Sequence, residues 1–219
     1  MNSTEFVKEL SDLQEQMLAG LDNMELIRSE SENNLDMANL LKIALKNEIE
    51  ATELAAFWIS STPEIDVKLG FARQAGDEAK HYRYIEKRLT DMGVDLTNFD
   101  PLATGYSKMF EYLKGLDDTI SRLACGQFMR EGIAVKRNEQ FIKLCEARGD
   151  QQTAQLYIEI IQPDELFHHQ LGRSMLQKYA NDPAKQQMAR EAVLKTLTIA
   201  EELRGIAEKK LGIAQIPGC

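Results

Sequence analysis

A chain of 219 residues with 43% hydrophobic and 28% charged residues is neither a disordered protein nor a collagen-like one. Its 26 basic and 35 acidic groups leave a net charge of −9, which disfavours a general binder of polyanions. The sequence has no run of about 18 apolar residues, so we predict no membrane span and no membrane partner. The start of the sequence predicts no signal peptide, and cysteines without a paired spacing favour a reduced, cytoplasmic compartment.

Glycine and proline are scarce, at 13 and 5 residues, whereas strong helix formers dominate the chain. The composition therefore predicts an all-α fold. Turn residues cluster at four places that separate helical patterns: 60–63, 91–93, 148–150 and 181–183. Between these breaks we predict a flanking helix at about 3–30, four long helices at 35–60, 64–90, 118–147 and 151–180, and a last helix at 183–211.

The four long helices are expected to form two hairpins. Short connections join the first to the second and the third to the fourth, so the members of each pair should be antiparallel neighbours. About 27 residues, with a short helical run around 106–113, join the second to the third and can cross the length of a bundle. We predict one domain over 1–219, with a four-helix bundle at about 35–180 and extra helices at both ends.

The same four-residue motif occurs in the second and fourth long helices. Residues 78–81 read Glu-Ala-Lys-His and residues 165–168 read Glu-Leu-Phe-His, so each has the form Glu-x-x-His. This spacing places a carboxylate and an imidazole on one helix face, one turn apart. A single copy is common by chance and usually a solvated pair, but two copies in paired helices indicate a shared site.

Each motif has a candidate partner glutamate on the preceding helix. Glu48 precedes the first motif glutamate by 30 residues and Glu131 precedes the second by 34, which brings each pair to about the same height. Counting about 100° per residue places all four glutamates on apolar faces, and it puts Ile158 on the inward face of the fourth helix. Glu50 and Glu53 crowd the same turn as Glu48, but the count places them on the solvated face.

Four carboxylates in one apolar interior are costly to leave charged and unpaired. Two metal ions remove that cost, because they neutralise the carboxylates and take the imidazoles as further ligands. One glutamate from each of two helices, with Glu-x-x-His from each of the other two, is the ligand set of paired iron or manganese ions in helical bundles. The sequence thus predicts a site for two iron ions, or manganese, whose metal ligands are Glu48, Glu78, His81, Glu131, Glu165 and His168.

Over about 35–180 the chain resembles the ferritin-like superfamily of di-iron carboxylate proteins. The stretches similar to its tRNA-hydroxylase-like branch and uncharacterised relatives are 48–56, 78–81, Lys87-Arg88-Leu89, Met92-Gly93 and 165–168. The resemblance implies a ferritin-like bundle with oxygen or peroxide chemistry at a di-iron centre. The chain lacks rubredoxin-like cysteine pairs, which excludes a complete rubrerythrin, and the extra helices at both ends disfavour a ferritin cage.

The leading hypothesis from this resemblance is an oxidoreductase, a monooxygenase that uses dioxygen as co-substrate to hydroxylate an organic substrate. Two electrons must then come from an external donor or reductase, because the chain has no second redox motif. The substrate is either a small molecule or a modified tRNA, and a homodimer is an expected assembly. The alternatives are a tRNA-modifying hydroxylase, a ferroxidase or peroxide-handling iron protein without an organic substrate, and a metal-free scaffold.

Several other residues each have a structural and a functional interpretation. His169 is expected on the inner side, as a hydrogen-bond partner of the site, a substitute ligand or a packed side chain. Pro163 removes a backbone hydrogen bond and should bend the fourth helix near residue 159. Tyr82, beside His81, is either a radical-bearing or proton-delivering tyrosine or a core residue.

The third long helix and the charged face of the second add further candidates. Asn138 and Gln127 face inward, where amides can support metal-bound carboxylates. Cys145 should lie too far along the helix to contact the site, as an ordinary buried thiol. A basic stripe on the second helix is either a solvated face or an anion-binding surface, and its members are Arg73, Lys80, Arg83 and Lys87.

Overall fold

The structure, a computed structural model, describes residues 1–19, 36–211 and 217–218. The all-α prediction is confirmed, because these residues form helices and no strand occurs among them. The helices are α1 (Ser3–Leu18), α2 (Met37–Ser61), α3 (Ile65–Asp91), α4 (Lys108–Lys114), α5 (Thr119–Arg122, Leu123–Arg130 and Glu131–Ala147), α6 (Gln151–Leu156, Tyr157–Ile161 and Gln162–Tyr179) and α7 (Pro183–Leu211). Within the described ranges, no helix has the length and apolar character needed to cross a membrane.

Short polar side chains mark where the bundle helices begin. Asp36 accepts a hydrogen bond from the N–H of Ala38 before α2, and Asp118 and Asp150 cap α5 and α6 in the same manner. The predicted bounds of the four long helices accordingly differ from the observed ones by at most two residues. The flanking helix predicted at 3–30 is described to its end at Leu18, and residues 20–30 of that prediction lie outside the described ranges.

The long helices pack as two hairpins. α2 lies along α3, and α5 lies along α6, with connections at 62–64 and 148–150. Residues 92–118, which include α4, cross from the first hairpin to the second. α1 and α7 pack against the second hairpin. This arrangement is compatible with a ferritin-like bundle.

Two apolar clusters fill the bundle, one on each side of the predicted site. The first contains Phe71 of α3 and the second contains Ile85 of the same helix, with Glu78 between them. In α2, Glu48 likewise lies between Leu45 of the second cluster and residues of the first. The predicted ligands therefore occupy a polar layer between two apolar layers.

The expectation that Glu50 is solvated is wrong, because the crossover covers this face of α2. Glu50 is 5% exposed, and its carboxylate accepts hydrogen bonds from the backbone N–H and the hydroxyl of Ser107 at 2.7 and 2.6 Å. Ser107 caps α4, so Glu50 fixes the start of that helix against α2. Glu53 accepts a hydrogen bond from the Tyr106 hydroxyl at 2.6 Å.

Both helices of the second hairpin contain a π-helical segment, which has more residues per turn than an α-helix. These segments are Leu123–Arg130 in α5 and Tyr157–Ile161 in α6. The second ends just before Pro163, which has no N–H to continue the α-helical hydrogen bonds, so the irregularity falls where the proline predicts it. The wider turn shifts the helix face: Tyr157 is buried, whereas Ile158, expected to face inward, is 48% exposed.

Candidate metal centre

The six predicted ligands lie together in the polar layer, and none is more than 4% exposed. Their donor atoms form two groups of four, and within each group these atoms lie within 4.8 Å of one another. Both groups include the same two glutamates, one from each hairpin. The first group is Glu48, Glu78, His81 and Glu165, and the second is Glu78, Glu131, Glu165 and His168. A buried cluster of carboxylates and imidazoles with this geometry can hold metal ions.

Each imidazole directs Nδ1 toward the carboxylates. His81 Nδ1 lies 3.4 Å from Glu48 Oε2 and 3.3 Å from Glu78 Oε2. His168 Nδ1 lies 3.5 Å from Glu78 Oε1 and 3.7 Å from Glu165 Oε2. Within the described part of the chain, His168 Nδ1 and Glu165 Oε2 have no hydrogen-bond partner. Buried polar atoms without a partner are costly, and a cation between these two would satisfy both.

Without a metal ion, protons balance the charge of the cluster. Burial raises the pKa of Glu48 to about 7 although His81 opposes the shift, and burial raises the pKa of Glu165 well above its usual range. Burial also acts to raise the pKa of Glu78, but the imidazoles outweigh it and lower this pKa to about 2. Burial acts to lower the pKa of His81, but hydrogen bonds to Glu48 and Glu78 raise it to about 12. Metal binding must therefore displace protons from the cluster.

The far nitrogen of each imidazole contacts an aspartate of the other hairpin. His81 Nε2 lies 3.2 Å from Asp164 Oδ2, and His168 Nε2 lies 3.2 Å from Asp77 Oδ2. A carboxylate at this nitrogen fixes the tautomer and the orientation of a metal-binding imidazole. Neither aspartate was predicted from the sequence, although each directly precedes a motif glutamate, so that both motifs read Asp-Glu-x-x-His.

The same two aspartates bind part of the basic stripe. Lys80 Nζ lies 2.6 Å from Asp164 and 3.2 Å from Asp77, and Arg73 Nε lies 3.2 Å from Asp77. The other two members of the stripe each pair with an acidic residue one turn further along α3, at 2.8 and 2.6 Å. Every member of the stripe therefore has an acidic partner.

Two buried glutamines support the carboxylates. Gln74 donates hydrogen bonds to Glu131 at 2.7 Å and to Glu78 at 3.3 Å, and Gln127 donates to Gln74 at 3.2 Å. The contact of Gln127 with the carboxylates is therefore indirect. Arg130 Nη1 lies 3.4 Å from Glu131. Gln74 was not predicted from the sequence, although its position four residues before Glu78 places it on the same helix face.

Side chains from α1 and α6 hold the π-helical segment that precedes Glu131. Gln14 of α1 donates hydrogen bonds to the carbonyls of Phe128 and Met129 at 3.1 and 3.3 Å. His169 of α6 donates Nδ1–H to the Phe128 carbonyl at 2.8 Å, and burial lowers its pKa. Of the interpretations of His169, the structure shows a hydrogen-bond partner of the backbone beside the cluster.

Residues 217 and 218 lie against the carboxylates. Gly218 lines a small cavity together with Arg130 and the four glutamates. The space available to the centre of a water molecule there is about 10 Å³, enough for about one water. Asn47 Nδ2 donates to the carbonyl of Pro217 at 3.0 Å, and Gly218 N–H donates to Asn138 Oδ1 at 2.9 Å. Asn138, expected to support the carboxylates, thus contacts this segment.

One family of proteins matches most of the chain. The family described as Protein of unknown function (DUF455) matches residues 12–206. The chain is a DUF455 protein. The match begins within α1 and ends within α7, so in this DUF455 protein it includes both flanking helices as well as the bundle. No curated protein and no solved structure matches the chain.

Two further side chains of the DUF455 protein lie in or against the second apolar cluster. Tyr82 is partly buried against that cluster, with Arg83 at 5.9 Å from its ring, and Cys145 is buried within it. Tyr157 was not predicted. It is 1% exposed, and its hydroxyl has no hydrogen-bond partner in the described ranges. The π-helical segment that contains Tyr157 explains why regular helix counting overlooked it.

Proposed function

We propose that this DUF455 chain is a di-iron oxidoreductase that uses dioxygen to hydroxylate a small organic molecule, with manganese as the alternative metal. The observation that carries the proposal is the pair of ligand groups that share Glu78 and Glu165. Such a set, drawn from four helices, is typical of paired metal ions in helical bundles. We further propose that the chain is a member of the ferritin-like di-iron superfamily, nearest its tRNA-hydroxylase-like branch.

Bound iron would supply the redox chemistry with dioxygen. The chain's own residues would divide the ligand work: Glu48 and His81 at one ion, and Glu131 and His168 at the other. The aspartates at each Nε2 would keep the proton there, so that each Nδ1 stays free to bind a metal. Hydroxylation with dioxygen consumes two electrons and two protons and yields the hydroxylated product and water, so the proposal includes an external reductase.

Charge favours a small molecule over tRNA as the substrate. The net charge of −9 repels a polyanion at long range. The basic stripe of α3, the candidate phosphate contact, is paired with carboxylates throughout. Binding to a nucleic acid would have to displace these ion pairs, whereas a small neutral molecule requires no such exchange.

Metal analysis of protein reconstituted with ferrous iron tests the proposal. We expect about two ions per chain in the wild type and a clear loss in Glu131→Gln and in His168→Ala. Glu139→Gln is a matched control, because Glu139 lies on the same helix as Glu131 and pairs with Lys136 at the surface. Wild-type metal content in both ligand variants would contradict the proposal.

Two measurements separate the alternatives. A hydroxylase consumes dioxygen with a reductant and keeps a fixed metal content, whereas a ferroxidase that stores iron takes up many more ions per chain. A tRNA hydroxylase binds tRNA with an affinity that falls steeply as salt increases, and Arg83→Ala with Lys87→Ala should flatten that dependence. Absence of tRNA binding at low salt would exclude the tRNA alternative.

A further inference from the structure

The peptide group between Pro217 and Gly218 is held at both of its polar ends. Asn47 of α2 donates to its carbonyl at 3.0 Å, and Asn138 of α5 accepts from its N–H at 2.9 Å. The peptide bond is trans. Two asparagines from different hairpins thus recognise one trans secondary amide. We call residues 217–218 the strap.

The strap covers the carboxylate side of the cluster. Both strap residues are buried, and Gly218 lines the cavity formed by the four glutamates. On the imidazole side, Asp77 and Asp164 and their ion pairs cover the cluster. Because the cavity under the strap has room for about one water, an organic molecule cannot reach the carboxylates there while the strap is seated.

A second observation distinguishes a binding site from simple packing. Asn138 is fully buried, and its Nδ2 group has no hydrogen-bond partner in the part of the chain that the structure describes. A buried donor without an acceptor is destabilising, so the strap satisfies only part of what this asparagine offers. A ligand with a further acceptor beside its amide would satisfy the rest.

We infer that the strap occupies the substrate pocket of the metal centre, and that this pocket takes a trans secondary amide, as in a peptide or an N-acyl compound. The inference rests on the proposed function, because the ligand would be the molecule that is oxidised. An incoming amide replaces the strap between Asn47 and Asn138 and lies beside the four carboxylates. In its absence, the strap restricts access to that side of the cluster.

Gly218 provides a point change that unseats the strap. Its φ is +75°, which side chains other than glycine rarely adopt, and a Cβ there would lie 3.2 Å from Asn47 Nδ2. Gly218→Ala therefore combines backbone strain with crowding against one of the two asparagines. Gly149 has a φ of +74° with no described atom within 4 Å of a Cβ, so Gly149→Ala is a matched control.

The first test is the rate at which a chelator removes iron from the loaded protein, with metal content measured at the start. We expect release about tenfold faster from Gly218→Ala and from a variant that ends before Pro217, because the hydrogen bonds of the strap are lost. Gly149→Ala should match the wild type. Wild-type release rates from both strap variants would overturn the inference.

The second test adds the amide back. Acetyl-Pro-Gly N-methylamide should bind the variant that lacks the strap and restore slow iron release. An ester analogue that lacks the N–H donated to Asn138 should bind about tenfold more weakly. Equal binding of amide and ester, or no binding of either, would overturn amide recognition.

Calorimetry on metal-free protein gives this second test a readout that does not depend on iron. If the wild type holds no metal, the proposed function fails, but binding of the capped peptide still reports on the pocket. If the wild type holds metal and the peptide does not bind, the pocket assignment fails and the metal site stands.

Discussion

His81 and Asp164 contact each other across the two hairpins, with Nε2 of the imidazole 3.2 Å from Oδ2 of the carboxylate. The reverse contact joins His168 to Asp77 at the same distance. Each Asp-Glu-x-x-His motif therefore supports the imidazole of the other. Both ligand groups also draw on both hairpins, so neither group is complete until the hairpins dock.

We predict that Asp164→Asn and Asp77→Asn each weaken metal binding by about 10- to 100-fold, because the partner imidazole loses the carboxylate that orients it. Competition with a chelator of known affinity measures the effect. Asp91→Asn is the control, since Asp91 is an exposed residue of α3 that pairs with Lys87 at 2.6 Å. Unchanged affinity in both variants would show that the aspartates serve only the surface ion pairs.

Glu48→Gln and Glu50→Gln should have opposite effects on metal content and stability. We expect Glu48→Gln to reduce the metal content. We expect Glu50→Gln to keep the metal and to lower the free energy of unfolding by about 1–2 kcal/mol, because it weakens the contacts to Ser107. Metal analysis and urea denaturation measure both, and Glu53→Gln, at an exposed hydrogen bond, serves as the control. Metal loss in Glu50→Gln alone would contradict the assignment of Glu48.

The metal-free protein should be more stable at pH 5 than at pH 7. The pKa of Glu48 is raised from 4.5 to about 7, so its contribution to stability is full below pH 4.5 and is lost as the pH rises through about 7. His81, raised from 6.5 to about 12, keeps its contribution up to about pH 6.5 and does not reverse this trend. Urea denaturation of chelator-treated protein at both pH values measures the difference.

Glu48→Gln should flatten this dependence, because the group that titrates is removed. The metal-loaded wild type should show the reverse trend over the same interval, since metal binding requires deprotonated ligands. A metal-free wild type that gains stability between pH 5 and pH 7 would refute the prediction.

Gln14→Leu should lower the free energy of unfolding by about 1–3 kcal/mol, because it removes the side-chain donor to two buried carbonyls of the π-helical segment. Gln16→Leu changes an exposed side chain of the same helix and should have little effect. Urea denaturation of the two variants compares them directly. Equal stability would mean that α1 does not support the segment before Glu131.

Periodicity within single helices was enough to predict the long helices and to bring six side chains to one level. Glu48 and Glu78 illustrate why: a short connection and regular α-helices relate their positions through local geometry alone. The structure places them together, while their role as metal ligands stays a prediction. Asp77 and Asp164 were within reach of the same reasoning, as a repeated residue before each motif glutamate.

Other features depend on contacts that local periodicity does not contain. Ile158 was misplaced because a π-helical segment adds a residue that a count of 100° per residue does not include. Glu50 was misplaced because α4 covers its face from far along the chain. The contact between Asn47 and Pro217 spans 170 residues, and no helical pattern indicates it.

The polar layer between the two apolar clusters has a consequence for how the bundle unfolds. With ions in place, ligands from four helices are tied together at mid-height, and the two clusters should open as one cooperative unit. Without ions, the layer is a seam whose buried charges resist dehydration, so either end can open while the other persists. Metal occupancy would then determine whether the bundle melts in a single transition or in two.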